Sequence, residues 1–381
     1  MILLVLFLVL IPSNRAWCLD KEEEIKILKE QVKQLLERIE KLEKEQKEKK
    51  DPVCPAFDNS RLILKGRFFT GYYKGERNGS KYEKGSFEVP DGKIQFIWKI
   101  NENIEVIDRI SLNNAQLGID YFYFQKNGII PNDSKSRLRI GRFKVNFGEE
   151  TWFDNPVENK FITNSASSVG GYDEGIELYG NFIPDKFGYV LSLTNGTTGV
   201  GLDKTSSKAF SVKIFGKPFK SLYLSGSYYT SGDLDEKGAD MKIAGLTTPP
   251  TGVTKWERDI WEFDTKFSLK KFEISVAYGK FLDNFIGSKR QGNYYFIQGI
   301  YNFTDRFYFG LRYSEIGLND GLTAKLNDIE DVNKYVRSSI VCGYKINSYV
   351  TLKGEYCWNK AKNQNIDIND NQFAIGIATH F

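Results

Sequence analysis

The sequence predicts an all-β fold, a transmembrane antiparallel β-barrel preceded by a short N-terminal coiled-coil helix. From Arg61 onward, segments of about ten residues alternate apolar and polar side chains and are separated by Gly, Asn, Asp, Lys and Pro, the signature of successive antiparallel strands. Aromatic residues reach 14% while the hydrophobic fraction is only 41%, a composition that suits strands. The connections are uneven. Lys270-Lys271, Asn302 to Asp305 and Asn347-Ser348 are tight, whereas those around 74–91, 147–170, 231–254 and 316–332 are long and polar, as in membrane barrels.

Residues 1–18 read as a secretory signal peptide. The apolar run Met1 to Ile11 is too short to span a bilayer comfortably, and Pro12 and Ala16 follow it. No Lys or Arg precedes the run, so a buried first strand or a membrane anchor is the competing reading. Cleavage is expected near Ala16 to Cys18, and Trp17 disfavours lipid attachment at Cys18.

Residues 21–50 are expected to form a periplasmic coiled coil. Ile25, Leu28, Val32, Leu35, Ile39 and Leu42 recur at alternating spacings of three and four, with β-branched residues at a and Leu at d. This choice favours two strands, while Ile27 and Leu36 widen the seam and leave three open. The competing use is a charged spacer whose apolar edge lies on its own domain. Asp51-Pro52 and Cys54-Pro55 end the helix, giving a linker over 51–60 and a barrel over 61–381.

Within the barrel, Trp261, Phe263, Thr265, Phe267 and Leu269 take one face and Glu262, Asp264, Lys266 and Ser268 the other. Tyr228-Tyr229 and Tyr294-Tyr295-Phe296 stand at strand ends, where an aromatic girdle is expected. About fifteen segments are visible and bacterial barrels take even numbers, so sixteen strands are expected, with fourteen the next count. A lumen of that size is an aqueous channel. The last segment, QFAIGIATHF at 372–381, should face lipid through Phe373, Ile375, Ile377 and Phe381 and pair with the first strand near Arg61 to Thr70.

Lys plus Arg number 53 against 49 Asp plus Glu, a net charge of +4, too balanced for a nucleic-acid partner. Cys18, Cys54, Cys342 and Cys357 have no metal spacing, and neither a disulfide nor a cofactor is expected. No enzyme activity is expected: His380, the only histidine, has no Ser partner, and Glu149-Glu150 simply begin a polar loop.

The most charged strand is RLRIGRFKVNFG at 137–148. Arg137 and Arg139 share one face, Arg142 and Lys144 the opposite parity, and a bulge or local bend at Gly141 would turn all four inward. Water access is the environment such cations need, and a positive ladder would attract anions. Lys213, Lys217, Arg306, Arg312, Arg337, Lys345 and Lys353 are expected to extend it. The bland alternative is that these cations solvate a wide wall and pair with Glu262, Asp264, Glu273 and Glu355. Residues 149–168 are too long for a turn and are expected to fold inward as a constriction loop bearing Glu149, Glu150, Asp154, Glu158 and Lys160.

With RLRIGRFKVNFG, GYDEGIELYG at 171–180, FGYVLSLTNGTTG at 187–199 and the strand ending at Phe381, the chain resembles outer-membrane porins of the phosphate-selective porin O and P family over roughly residues 58–381. The resemblance implies a homotrimer of sixteen-stranded barrels, each with a basic channel for phosphate or polyphosphate. Arg137, Arg139, Arg142 and Lys144 match the basic strand of the motif; the acidic stretch 149–158 departs from a phosphate-selective lumen. The expected function is passive diffusion of small hydrophilic solutes through a bacterial outer membrane, in contact with lipid or lipopolysaccharide, with anion preference left open. The alternative is a structural anchor whose coiled coil contacts the cell wall or a periplasmic partner.

Overall fold

The computed structural model describes residues 21–48, 61–114, 116–150, 155–197, 203, 205–319, 322–363 and 366–381. The expected signal peptide and linker, with Cys18 and Cys54, lie outside the described residues, as does Asp154. The chain divides into two units, Met1–Asp58 and Asn59–Phe381.

The first unit contains helix α1, Lys21–Glu48. Val32, Leu35, Leu36 and Ile39 are each more than half exposed, so the heptad seam is unburied on a single copy. A polar helix with one narrow apolar seam gains little by itself, which gives the seam its value in association.

The second unit is a closed antiparallel barrel. Its strands are β1 Leu62–Gly75, β2 Ser86–Lys99, β3 Ile104–Asn113, β4 Gln116–Asn127, β5 Arg137–Lys144, β6 Tyr172–Ile183, β7 Phe187–Thr194 and β8 Ala209–Phe219. They continue as β9 Leu222–Thr230, β10 Trp256–Leu269, β11 Phe272–Phe285, β12 Ser288–Asn302, β13 Phe307–Leu318, β14 Lys334–Lys345, β15 Val350–Asn363 and β16 Gln372–His380. Ile366–Asn369 pairs with β15 just before β16 and counts with it, giving sixteen barrel strands. The first and last strands pair from Arg67 with His380 to Gly75 with Gln372. The seam therefore lies about half a strand further along β1 than expected. It continues through Gly66 and Phe381, whose backbones exchange hydrogen bonds of 3.0 and 2.9 Å. Closure pairs both edges of the barrel sheet, which would otherwise be open to another chain.

The period of two sorts the wall as the alternation predicts. Trp261, Phe263, Phe267, Leu269, Phe373, Ile375 and Ile377 are exposed on the outside, while Glu262, Asp264, Ala374 and Ala378 are buried inside. Three expected girdle residues are corrected: Tyr229, Tyr294 and Phe296 face inward and are buried, leaving Tyr228 and Tyr295 outside. Successive strand residues cannot share a face, so three aromatics in a row must divide. The bulge expected at Gly141 is absent. Pairing runs unshifted from Arg137 to Arg142 with β4 and from Arg137 to Lys144 with β6, and Gly141 takes φ +131°, a local bend in place of a bulge. Cys342 is exposed and Cys357 buried on the neighbouring strand, both as free thiols.

The tight turns after β2, β6, β8, β10, β12 and β14 share one end, and the long connections after β5, β7, β9 and β13 share the other, where the two-residue turn Ile286–Gly287 also lies. Three long connections pack together there. Val169–Gly170 pairs with Lys242–Ile243, and Ala324–Leu326 forms a hairpin with Ile329–Val332. Val145, Phe147, Ala166, Met241, Leu246, Leu326 and Val332 share one buried apolar core. The long, polar-looking connections thus build a small body packed against inward-facing strand residues such as Tyr229, Ile260, Tyr294 and Tyr335.

Candidate functional site in the lumen

The connection after β5 folds into the barrel. Gly148 begins the inward path with φ +58°, and a Cβ there would meet Glu262 Oε1 at 2.1 Å, so only glycine fits. Glu150 accepts from the Ser165 N–H at 2.8 Å and closes residues 150–165 into a loop. Its far side is bonded to the wall. Glu355 on β15 accepts from the backbone N–H groups of Ile162 and Thr163 at 2.6 and 2.8 Å. Arg312 on β13 donates to the Thr163 and Asn164 carbonyls at 2.8 and 3.1 Å. Arg337 on β14 donates to the Asn164 carbonyl at 2.7 Å, and Lys353 on β15 to the Pro156 and Asn159 carbonyls. Phe161 fills an apolar niche with Ile300, Tyr308 and Val341.

Arg312, Arg337 and Lys353 therefore carry the parity expected of pore-lining cations but lie beneath the loop, each donating to its backbone carbonyls, while Arg312 Nε and Nη1 have no hydrogen-bond partner. Arg306 is also corrected: it is exposed in the tight turn after β12, outside the strand wall. Lys345 is half-buried at the end of β14, and Lys217 is exposed near the end of β8.

The arc of wall from β1 to β5, separated from β15 only by β16, carries a second set of cations. Arg67 lies 2.8 Å from Asp91, Lys93 lies 2.9 Å from Asp120, and Arg109 lies 3.0 Å from the same Asp120. The Arg109 guanidinium stacks 3.7 Å over the Tyr121 ring and donates to Tyr172 Oη at 2.9 Å. Arg139 donates to Gln125 at 2.8 Å and pairs with Glu177 at 3.0 Å. Lys144 is buried and lies 5.7 Å from the Tyr172 ring. Arg142 pairs with Glu174 at 2.8 Å and lines a neighbouring cleft with Lys144, Asp240 and Lys242.

These cations face the loop across open space. A cleft of about 230 Å³ lies between Arg67, Arg109, Arg139 and Lys144 on the wall and Asn155 and Glu158 on the loop. A second, of about 430 Å³, adds Lys65, Lys93, Val157 and His380. Arg67 and Glu158 approach to 4.0 Å across it. On the other side of the loop, a cleft of about 180 Å³ is lined by Glu149, Glu150, Glu158, Lys160, Asp264 and Glu273. Glu149 is held at 2.6 Å by Lys213 on β8. Cations thus outnumber carboxylates in the lining of the β1–β5 clefts, although Asp91, Asp120 and Glu177 pair with them, and carboxylates outnumber Lys160 and Lys266 in the cleft beyond the loop.

Arg67, Lys93 and Arg109 escape a search for dense charge because each is a single cation in an otherwise ordinary strand. Their signal is parity: Lys93 and Gln95 alternate with Ile94 and Phe96, and Arg109 is flanked by Asp108 and Ile110. His380 lies at the rim of the larger cleft, its ring 5.9 Å from that of Tyr349.

No protein-family model matches the sequence, and no similarity to a curated protein sequence is detected. Solved structures do match. An anion-selective porin from Comamonas acidovorans is similar at 11% identity and TM-score 0.58, over 84% of this chain and 99% of that one. The outer-membrane channel DcaP of Acinetobacter baumannii is similar at 14% identity and TM-score 0.58, over 84% and 97%. OmpT in its trimer form, an outer-membrane protein of Vibrio cholerae, is similar at 10% identity and TM-score 0.55, over 84% and 99%. At such identities the likeness concerns the fold, and it says that this chain is built as an outer-membrane barrel of the porin type.

Proposed function

We propose that the protein is an outer-membrane porin, a water-filled channel for passive diffusion of small hydrophilic solutes with a preference for anions. The observation that carries this reading is the row of lumen cations Arg67, Lys93, Arg109, Arg139 and Lys144 facing an inward-folded loop across open clefts. Residues 149–168 act as the constriction. A solute passing it meets a positive wall on one side and Glu158 on the other, and the field orients dipoles and favours negative charge. Inorganic phosphate is the finer candidate, drawn from the resemblance to the phosphate-selective porin O and P family. The acidic loop argues for a more general anion preference. No catalytic residue is assigned in this reading.

Residues 1–18 act as the export signal, the long connections face the cell exterior, and α1 lies in the periplasm. The open seam of Val32, Leu35 and Ile39 takes further copies of the chain; that the assembly is a trimer is drawn from the resemblance to the porin O and P family. The outer aromatics and aliphatics contact lipid and lipopolysaccharide.

Planar-bilayer recordings under a salt gradient test the reading. The expected result is an ohmic channel whose reversal potential reports anion preference. A cation-preferring channel removes the preference, and a lumen that passes no current favours the structural-anchor reading.

A further inference from the structure

We propose that the lumen carries, at its short-turn end, a binding subsite for an aromatic ring bearing a carboxylate. This rests on the channel reading above and adds a solute class to it. Tyr179 on β6, Phe215 on β8 and Tyr223 on β9 form a continuous strip. Ring centroids are 5.6 Å apart between Tyr179 and Phe215 and 6.4 Å between Phe215 and Tyr223, with interplanar angles of 32° and 21°. All three have the parity of lumen residues: Tyr179 follows Glu177 by two, Phe215 stands between Lys213 and Lys217, and Tyr223 precedes Ser225 by two. They are half-buried, so part of each ring stays open.

The strip crosses β7, and Gly188 makes that crossing possible. A Cβ at 188 would meet the Phe215 ring at 2.6 Å. With glycine there, Phe215 lies over the intervening strand and reaches towards Tyr179. Aromatic surface held in a polar, water-filled wall gains free energy when a second ring covers it.

Cations frame the strip. The Arg137 guanidinium lies 4.2 Å from the Tyr179 ring centroid, and its Nε has no hydrogen-bond partner. Lys213, Lys186 and Lys217 line the same cavity of about 400 Å³, which suits a small ring compound. Its two carboxylates are engaged: Glu149 by Lys213 and the Tyr223 hydroxyl, and Asp185 by Lys135. A neutral ring would use the strip and leave Arg137 unanswered. A small inorganic anion would answer Arg137 and leave the strip bare. A ring bearing a carboxylate uses both, with a charge-assisted hydrogen bond to the guanidinium.

Benzoate is the probe, with acetate, phenol and glucose 6-phosphate as comparisons, added to the full-length protein in planar bilayers. Benzoate should interrupt the potassium chloride current with an affinity at least about tenfold above that of acetate or phenol. Phe215→Leu and Gly188→Val, checked for folding by circular dichroism, should each lower that affinity by about tenfold. The subsite is overturned if benzoate binds no better than acetate, if glucose 6-phosphate binds as well as benzoate, or if folded Phe215→Leu binds benzoate normally. Calorimetry on the detergent-solubilised protein reads binding without conduction. A protein that conducts but does not bind benzoate loses only this subsite, whereas one that binds benzoate and passes no current loses the channel reading.

Discussion

On β1 to β5, Arg67, Lys93 and Arg109 are balanced by carboxylates within the wall and line the clefts of the lumen. On β13 to β15, Arg312, Arg337 and Lys353 have the same parity and the same chemistry, yet each gives at least one donor to the carbonyls of Pro156, Asn159, Thr163 or Asn164. The difference lies in where the loop after β5 settles. A cation on the inner face of a barrel lines the channel where the wall supplies its counter-charge, and it becomes a staple where a loop supplies carbonyls. A buried guanidinium or ammonium needs its donors satisfied, and an irregular loop is rich in free backbone acceptors.

Glu355→Ala should break this contrast with the largest effect. Glu355 accepts from the N–H groups of Ile162 and Thr163 and from the Thr163 hydroxyl, and it lies 3.4 Å from Arg312. Its removal strands a buried guanidinium and two backbone donors. Breaking one side of such a pair costs about 3–5 kcal/mol. The loop should leave the wall, conductance should rise, and anion preference should strengthen as Arg312 and Lys353 open to the lumen. Urea unfolding in detergent and single-channel recording measure the two effects. Unchanged conductance together with an unchanged unfolding midpoint would refute the staple role.

The β1 to β5 arc should respond in the other sense. Arg109→Gln removes a lumen cation while Asp120 keeps Lys93 at 2.9 Å. The stability cost should be smaller, about 1–2 kcal/mol for a lost charged hydrogen bond and ring contact. The reversal potential should move towards cations with the loop still in place. A stability loss as large as that of Glu355→Ala, with selectivity unchanged, would show that Arg109 is a staple as well.

These two sides also mark how far the sequence could be read. The barrel, its strand number and the faces of its last strand follow from a period of two, which is local and survives any register. The seam is non-local. Pairing of β16 with Arg67 to Gly75 depends on the stagger of the closed sheet, which no single segment encodes. Arg312 and Arg109 both stand on the lumen face, and nothing in their flanking residues separates them, because the distinction is made by Thr163 and Asn164 some 150 residues away in the chain. Gly148 and Gly188 are visible in the sequence only as glycines; the side chains they accommodate are Glu262, more than a hundred residues on, and Phe215, the cross-strand partner of Gly188 on β8.

The smallest predicted effect concerns the packed connections at the far end. Asp240 is buried beside the end of β5, its Oδ2 without a hydrogen-bond partner. Burial, and then Asp173, push its carboxyl up to about 8, with Arg142 and Lys242 opposing the shift. An unfolded aspartate titrates near 3.9. Between these values the folded state holds a proton that the unfolded state has released, so the contribution is full below the unfolded value and is lost as pH rises through about 8. The packing of residues 238–246 should loosen on going from pH 6 to pH 9, while the staples on β13 to β15 hold. Hydrogen exchange, corrected for the intrinsic rate, should show faster opening of this segment alone at the higher pH, and Asp240→Asn should remove the dependence. Equal opening at both pH values in the unsubstituted protein would mean that Asp240 is charged throughout, its cost met by Arg142 and Lys242.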